Sequence, residues 1–134
     1  MAQMCPCHSG KIYQECCAPY HQGEIPPTAL LLMRSRYSAY ALGNSDYILA
    51  TTHPEHPDAS HPHEMRKEQI QAFSTHTQFT GLDILSTEEE PPYAYVTFRV
   101  HLKQEGRDVS FTERSQFGRH HERWLYRQGE IHRE

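Results

Sequence analysis

The sequence predicts an α+β domain with a small metal-organised knuckle at its N-terminus. Two observations carry this. Apolar residues recur at helical spacing in the first half of the chain and alternate at strand spacing in the second half. All four cysteines lie between Cys5 and Cys17. A chain of 134 residues suits one such domain with an appendage and is too short for two full domains. Leu, Ile, Val and Phe supply only 23 of those residues, a low share for a folded core. The net charge of -4 is too small for a disordered chain, and eight Tyr with one Trp add area to bury.

The elements follow in order. Leu30, Met33, Tyr37, Tyr40 and Ala41 mark a helix over 28–42, stopped at Gly43. Asn44 or Ser45 caps a short second helix that carries Tyr47 and Ile48 and ends before His53-Pro54. Residues 53–63, with four His and three Pro, form a loop, and Pro62 opens a third helix with Met65, Ile70 and Phe73 inward. Strand-like runs span about 78–87, 92–103, 108–118 and 123–128. In the second run Ala94, Val96, Phe98, Val100 and Leu102 share one face. Hairpin turns fall at Gly106 and near 120–122. Element order alone admits ferredoxin-like, cystatin-like and NTF2-like arrangements.

The spacing Cys5-x-Cys7, then eight residues, then Cys16-Cys17 suits a tetrahedral thiolate site for structural zinc. Disulfides fit less well: a Cys16–Cys17 ring is strained, and a Cys5–Cys7 bridge is short. His8 or His21 can replace one thiolate, but the four-cysteine set is simpler. Four protein ligands leave no open coordination position for catalysis. The residues 5–17, Cys-Pro-Cys-His-Ser-Gly-Lys-Ile-Tyr-Gln-Glu-Cys-Cys, resemble the SEC-C motif, the zinc knuckle at the tail of the bacterial protein-translocation ATPase. His8 stands where that motif usually has glycine. The resemblance implies a protein-docking role, near the ribosome or the secretion machinery.

A second resemblance bears on the domain. Leu32-Met33-Arg34-Ser35-Arg36-Tyr37-Ser38-Ala39-Tyr40, Thr52-His53-Pro54, Glu113-Arg114-Ser115-Gln116-Phe117 and Trp124-Leu125-Tyr126 are similar to the YchJ family of uncharacterised proteins. That family implies an NTF2-like cone, three helices packed on a curved, mostly antiparallel four-stranded sheet, behind an N-terminal SEC-C knuckle. Many members end in a second SEC-C motif, which is not found before Glu134. The expected division is a knuckle over 1–20, a linker over 21–27 and the cone over 28–134. Chelation is then expected to unfold the knuckle and leave 28–128 folded.

Strand alternation places Glu113 on the same face as Val109, Phe111 and Phe117, so a carboxylate points inward. Arg34 or Arg36 is its expected partner. Glu113 and His53 are the candidate acid–base residues, and Tyr37, Tyr40, Tyr47, Trp124, Tyr126 and Arg34 the candidate pocket. The bland reading of these side chains is an amphipathic core closed by a Glu–Arg pair. No Ser/His/Asp order or phosphate-binding glycine loop is present, and the loop histidines lack a metal-ligand spacing.

Three functions follow: a non-catalytic zinc protein that docks a protein partner through the knuckle, a small-molecule binder or enzyme using the cone, and an RNA or ribosome-associated binder. The last would use Arg99, Arg114, Arg119, Arg123 and Arg127, against a sequence pI near 6.2. No apolar run is long enough to span a membrane, and residues 1–6 lack an export signal. A bacterial cytoplasmic setting is expected.

Overall fold

The computed structural model describes residues 3–132. After the knuckle, a short α1 (Ala18–His21) leads to α2 (Ala29–Leu42), α3 (Ser45–Ala50) and α4 (His63–His76). The sheet follows: β1 (Gln78–Glu90), β2 (Tyr93–Gln104), a two-residue β3 (Arg107–Asp108), β4 (Phe111–His120) and β5 (Arg123–His132). All pairings are antiparallel in the order β1-β2-β4-β5, with β3 beside β2.

Local chemistry sets the helix ends. The Thr28 hydroxyl accepts from the Leu31 amide at 3.1 Å, and Gly43 closes α2 in the left-handed region at φ 73. Asn44 caps α3 through the Tyr47 amide at 3.2 Å. Pro62 stands at the cap position of α4, one residue before the helix. Strand β2 alternates as its sequence predicts, with Ala94, Val96, Phe98, Val100 and Leu102 buried. Irregular register between Phe79 and Gly81, between Ile84 and Ser86, and between Gln116 and Phe117 bends the sheet around α2. Leu32, Met33 and Tyr37 of α2 pack against Val96, Val100 and Phe117.

One expectation changes here. Met65 of α4 is exposed, and α4 buries none of its residues; of the three apolar residues expected inward, Ile70 and Phe73 line the cavity under the helix. The knuckle also packs directly on the domain. Cys5, Cys7 and Cys17 belong to the same apolar cluster as Leu32, Val96 and Val100. A core short of aliphatic residues uses the cysteines as part of its filling.

The hairpin turns at 105–106 and 121–122 use positive φ at their two central residues, the geometry that matches the twist of the flanking strands. The first has Glu105 at φ 51 and Gly106 at φ 78, whereas the second has His121 at φ 51 and Glu122 at φ 65, with no glycine. Left-handed backbone costs an ordinary side chain roughly 1 kcal/mol. Replacing His121→Asn together with Glu122→Gly should therefore stabilise the fold by about 1 kcal/mol, a rise of about 3–5 °C in Tm. An unchanged or lower Tm by scanning calorimetry would show that the native pair compensates elsewhere.

Candidate functional site

Two sites lie on opposite sides of α2. At the first, the sulfurs of Cys5, Cys7, Cys16 and Cys17 all lie within 4.8 Å of one another. Cys7 and Cys16 are 3.6 Å apart, and Cys16 and Cys17 are 3.9 Å apart. Zn–S bonds of about 2.3 Å place the corners of a tetrahedron roughly 3.8 Å apart, so this donor set fits a thiolate-bound metal. None of the four is in a disulfide. Hydrogen bonding from Cys17 pulls the Cys7 thiol down to about 4. Burial pushes Cys5 up to about 11, and the bond to Cys7 drives Cys17 far above its ordinary value. The thiols thus hinder one another's ionisation. A divalent metal held by these four residues would supply the charge that lets all four ionise.

The side chains that touch this cluster also attach it to the domain. Arg34 Nη1 donates to the Cys7 carbonyl at 3.1 Å and lies 3.8 Å from the Cys7 sulfur. His8 stands at φ 61, which explains the glycine preference at that position. Its Nε2 donates to the Phe79 carbonyl at 3.3 Å, and its ring meets Tyr37 edge-on. His21 accepts from the Tyr13 hydroxyl at 2.6 Å and donates to the Ser35 carbonyl at 2.8 Å. Burial lowers its pKa, in keeping with a neutral ring.

The second site is a cavity of about 400 Å³ between α2, α4, the loop after α3 and the concave face of the sheet. Phe73, Phe79, Phe98, Val100, Leu102 and Phe117 form apolar walls. At its polar end, Glu113 Oε2 accepts from the Ser115 hydroxyl, and from the Tyr126 hydroxyl at 3.0 Å. Burial, and then the Glu113 charge, push the Tyr126 phenol far above its ordinary pKa, so it stays a donor. The exposed Asp58 and Gln69 mark the rim.

Among the candidate residues, the structure brings Glu113, Tyr37, Tyr40 and Tyr126 together around the cavity. Arg34, Tyr47, Trp124 and His53 are outside its lining. Arg34 turns to the cysteines. Tyr47 reaches the other side of α2, with its hydroxyl 2.7 Å from Ser35 Oγ and its ring on His21. Trp124 stacks under Arg119 at the hairpin end of β5. His53 is buried behind Tyr126: its amide donates to the Tyr126 carbonyl at 2.7 Å, and its Nδ1 accepts from the Glu55 amide. The expected Glu113–Arg pair does not form. Arg36 Nη1 donates to the Ile48 carbonyl and to Thr51 and Thr52, and its guanidinium lies over the Tyr126 ring at 4.6 Å.

Sequence reasoning missed His56, Ser115 and Gly129. His56 lines the cavity, with its ring 5.4 Å from that of Tyr126. Ser115 lies two residues from Glu113 on the same strand face, a relation that alternation contains. Gly129 pairs with Ser115 across β4 and β5, and a Cβ there would collide with the Glu113 carboxylate and lie 2.6 Å from the Tyr126 hydroxyl.

Comparison with known proteins agrees with this two-part construction. The family model "YchJ, middle NTF2-like domain" matches residues 28–129, and the SEC-C motif matches residues 1–19. The chain belongs to the YchJ family. A UPF0225 protein of Bordetella pertussis is 34% identical to this YchJ-family chain over 131 residues, covering 95% of the chain and 92% of the relative. The solution structure of a SEC-C motif containing protein from Rhodopseudomonas palustris has a TM-score of 0.77 at 33% identity, covering 97% of this chain and 98% of the other. The crystal structure of a SEC-C motif containing protein from Psychrobacter arcticus has a TM-score of 0.80 at 26% identity, covering 94% and 81%. The NTF2-like fold and the SEC-C knuckle expected of the YchJ family are both present. Among the described residues, no helix is long and apolar enough to cross a membrane.

Proposed function

We propose that this YchJ-family chain binds a small amphipathic molecule in its NTF2-like cone and holds zinc in the knuckle as a structural element. The carrying observation is the cavity of about 400 Å³ that ends on the hydrogen-bonded Glu113 carboxylate. Its size and its pattern of apolar walls with a few convergent polar groups are those of small-molecule sites. The reading is of binding rather than turnover, because it rests on one carboxylate fixed by two hydroxyl donors. The four-thiolate set leaves the metal no open position, which supports a structural role for it.

The test uses Nile red, a neutral solvatochromic dye. The wild-type chain should bind it with a blue shift, and Ile70→Trp, which fills the cavity from α4, should weaken binding at least about tenfold while Tm holds. Equal binding by both proteins at equal Tm would overturn the cavity reading.

Docking of a protein partner through the knuckle is a second reading, supported by Met4, which is 55% exposed beside the cysteines. Under that reading, Met4→Glu should remove a partner that the wild-type chain retains in a pull-down, and identical partner lists would count against it. An RNA-binding role finds less support. Arg114 faces Glu88 and Glu90, and Arg127 faces Glu55, so these cations are already neutralised within the chain.

A further inference from the structure

We infer that the molecule taken up by the cavity is an amine, with an aromatic or bulky apolar body and a cationic head that seats on Glu113. This rests on the small-molecule reading above and adds the chemical class of the guest.

The charged groups that line the cavity are Arg36, Asp58, Arg66 and Glu113. They are not equally available. Arg36 is 7% exposed, holds three oxygens of the α3 end through one nitrogen, and presses its flat face on Tyr126. It therefore serves as a clamp between α2, α3 and β5. Asp58 is exposed at the rim, and Arg66 comes from α4 close by. Glu113 differs from both. None of the ion pairs among the described residues includes it. Both of its hydroxyl donors reach the same oxygen, Oε2, which leaves the acceptor capacity of Oε1 for a donor carried by a guest in the cavity that Glu113 lines.

The walls favour the same guest. Phe73, Phe79, Phe98 and Phe117 line the cavity, and aromatic walls of this kind suit a cation better than an anion and limit the water that would screen a carboxylate–ammonium contact. An anionic head placed at this end would meet the Glu113 charge instead. A neutral hydroxyl would gain one hydrogen bond and no charge attraction. The room beside the carboxylate is kept by Gly129, where any Cβ would press on the Glu113 carboxylate. That gives the missing side chain a reason beyond backbone freedom.

Three probes share one body and differ only in the head: tryptamine, indole-3-ethanol and indole-3-propionate. Each is titrated by calorimetry into the full, metal-loaded chain. The expected order is tryptamine first, at least about tenfold tighter than the propionate, with the alcohol between them. Glu113→Gln should abolish the difference between amine and alcohol. Ser115→Ala, which keeps the carboxylate, should retain it. If Glu113→Gln fails to fold, Ser115→Ala and a loss of tryptamine affinity at high salt carry the test. Equal affinities, a preference for the propionate, or no binding of tryptamine would overturn the amine assignment. Nile red binding that Ile70→Trp blocks would leave the cavity reading standing in each of those cases, so the two failures are distinguishable.

Discussion

Removing the metal should melt the whole chain earlier, in a single transition, with Tm lowered by about 10 °C or more. A chelator that strips zinc from a dangling knuckle would leave the domain's transition in place. Here Cys5, Cys7 and Cys17 are 4%, 0% and 1% exposed and share the core with Leu32, Val96 and Val100. Arg34, His8 and His21 fix the knuckle to α2 and β1 through the carbonyls of Cys7, Phe79 and Ser35. Freeing the four sulfurs therefore opens one side of the core and leaves these donors unpaired. A metal that binds only the folded state adds its binding free energy to stability, and a few kcal/mol of it accounts for the shift at roughly 3–5 °C per kcal/mol. Cys7→Ser should act in the same direction, since it removes a ligand and buries a hydroxyl where a sulfur packed. Calorimetry of the zinc-loaded chain with and without chelator checks this. An unchanged main transition would mean that the knuckle only rests on the domain.

Gly129→Ala should cost about 2–3 kcal/mol and abolish ligand binding together with it. The added methyl would collide with the Glu113 carboxylate and lie 2.6 Å from the Tyr126 hydroxyl. Both are side-chain tips, and each could shift only by giving up its present contacts. Glu113 is held by Ser115, and the Tyr126 ring is pinned under Arg36. Its backbone is bridged to Thr52, with the Tyr126 amide donating to the Thr51 carbonyl at 2.9 Å. The double variant Glu113→Ala/Gly129→Ala should be less destabilised than the sum of the single variants, because the first change removes the group that the second strikes. Strict additivity in chemical denaturation would show that Gly129 matters for its backbone alone.

The order of helices and strands was legible because period governs it. The buried face of β2 and the inward direction of Glu113 both follow from alternation along a strand with one wet side. The cysteine cluster was legible for a different reason: four soft ligands in a short segment have few other uses. The fate of the two arginines of α2 was not. Arg34 and Arg36 are two residues apart, about 200° around a helix, so they must serve opposite sides. Which side faces Glu113 depends on where the knuckle docks, and that is a tertiary matter. The knuckle took the Arg34 side, together with Tyr47, and left Arg36 to Tyr126. The fusion of knuckle and domain into one core had only an indirect trace in the sequence, the shortage of aliphatic residues.

The order β1-β2-β4-β5 leaves two strands with an unpaired side, and each such side is a template on which another chain can add. The molecule covers part of both with its own segments. His8 and Tyr37 take the carbonyls of Phe79 and Gly81 at the start of β1, while the chain after α3 runs beside β5 and bonds the Tyr126 amide and carbonyl. The far half of β1 has no such cover, and there Glu88, Glu89 and Glu90 form an acidic run beside the exposed Leu85. Charged side chains on an open edge disfavour pairing with another copy, although Arg114 offsets part of this charge at Glu88 and Glu90. Anything that loosens the knuckle would expose the guarded half of β1 as well, so a metal held there would guard the chain against aggregation as well as against unfolding.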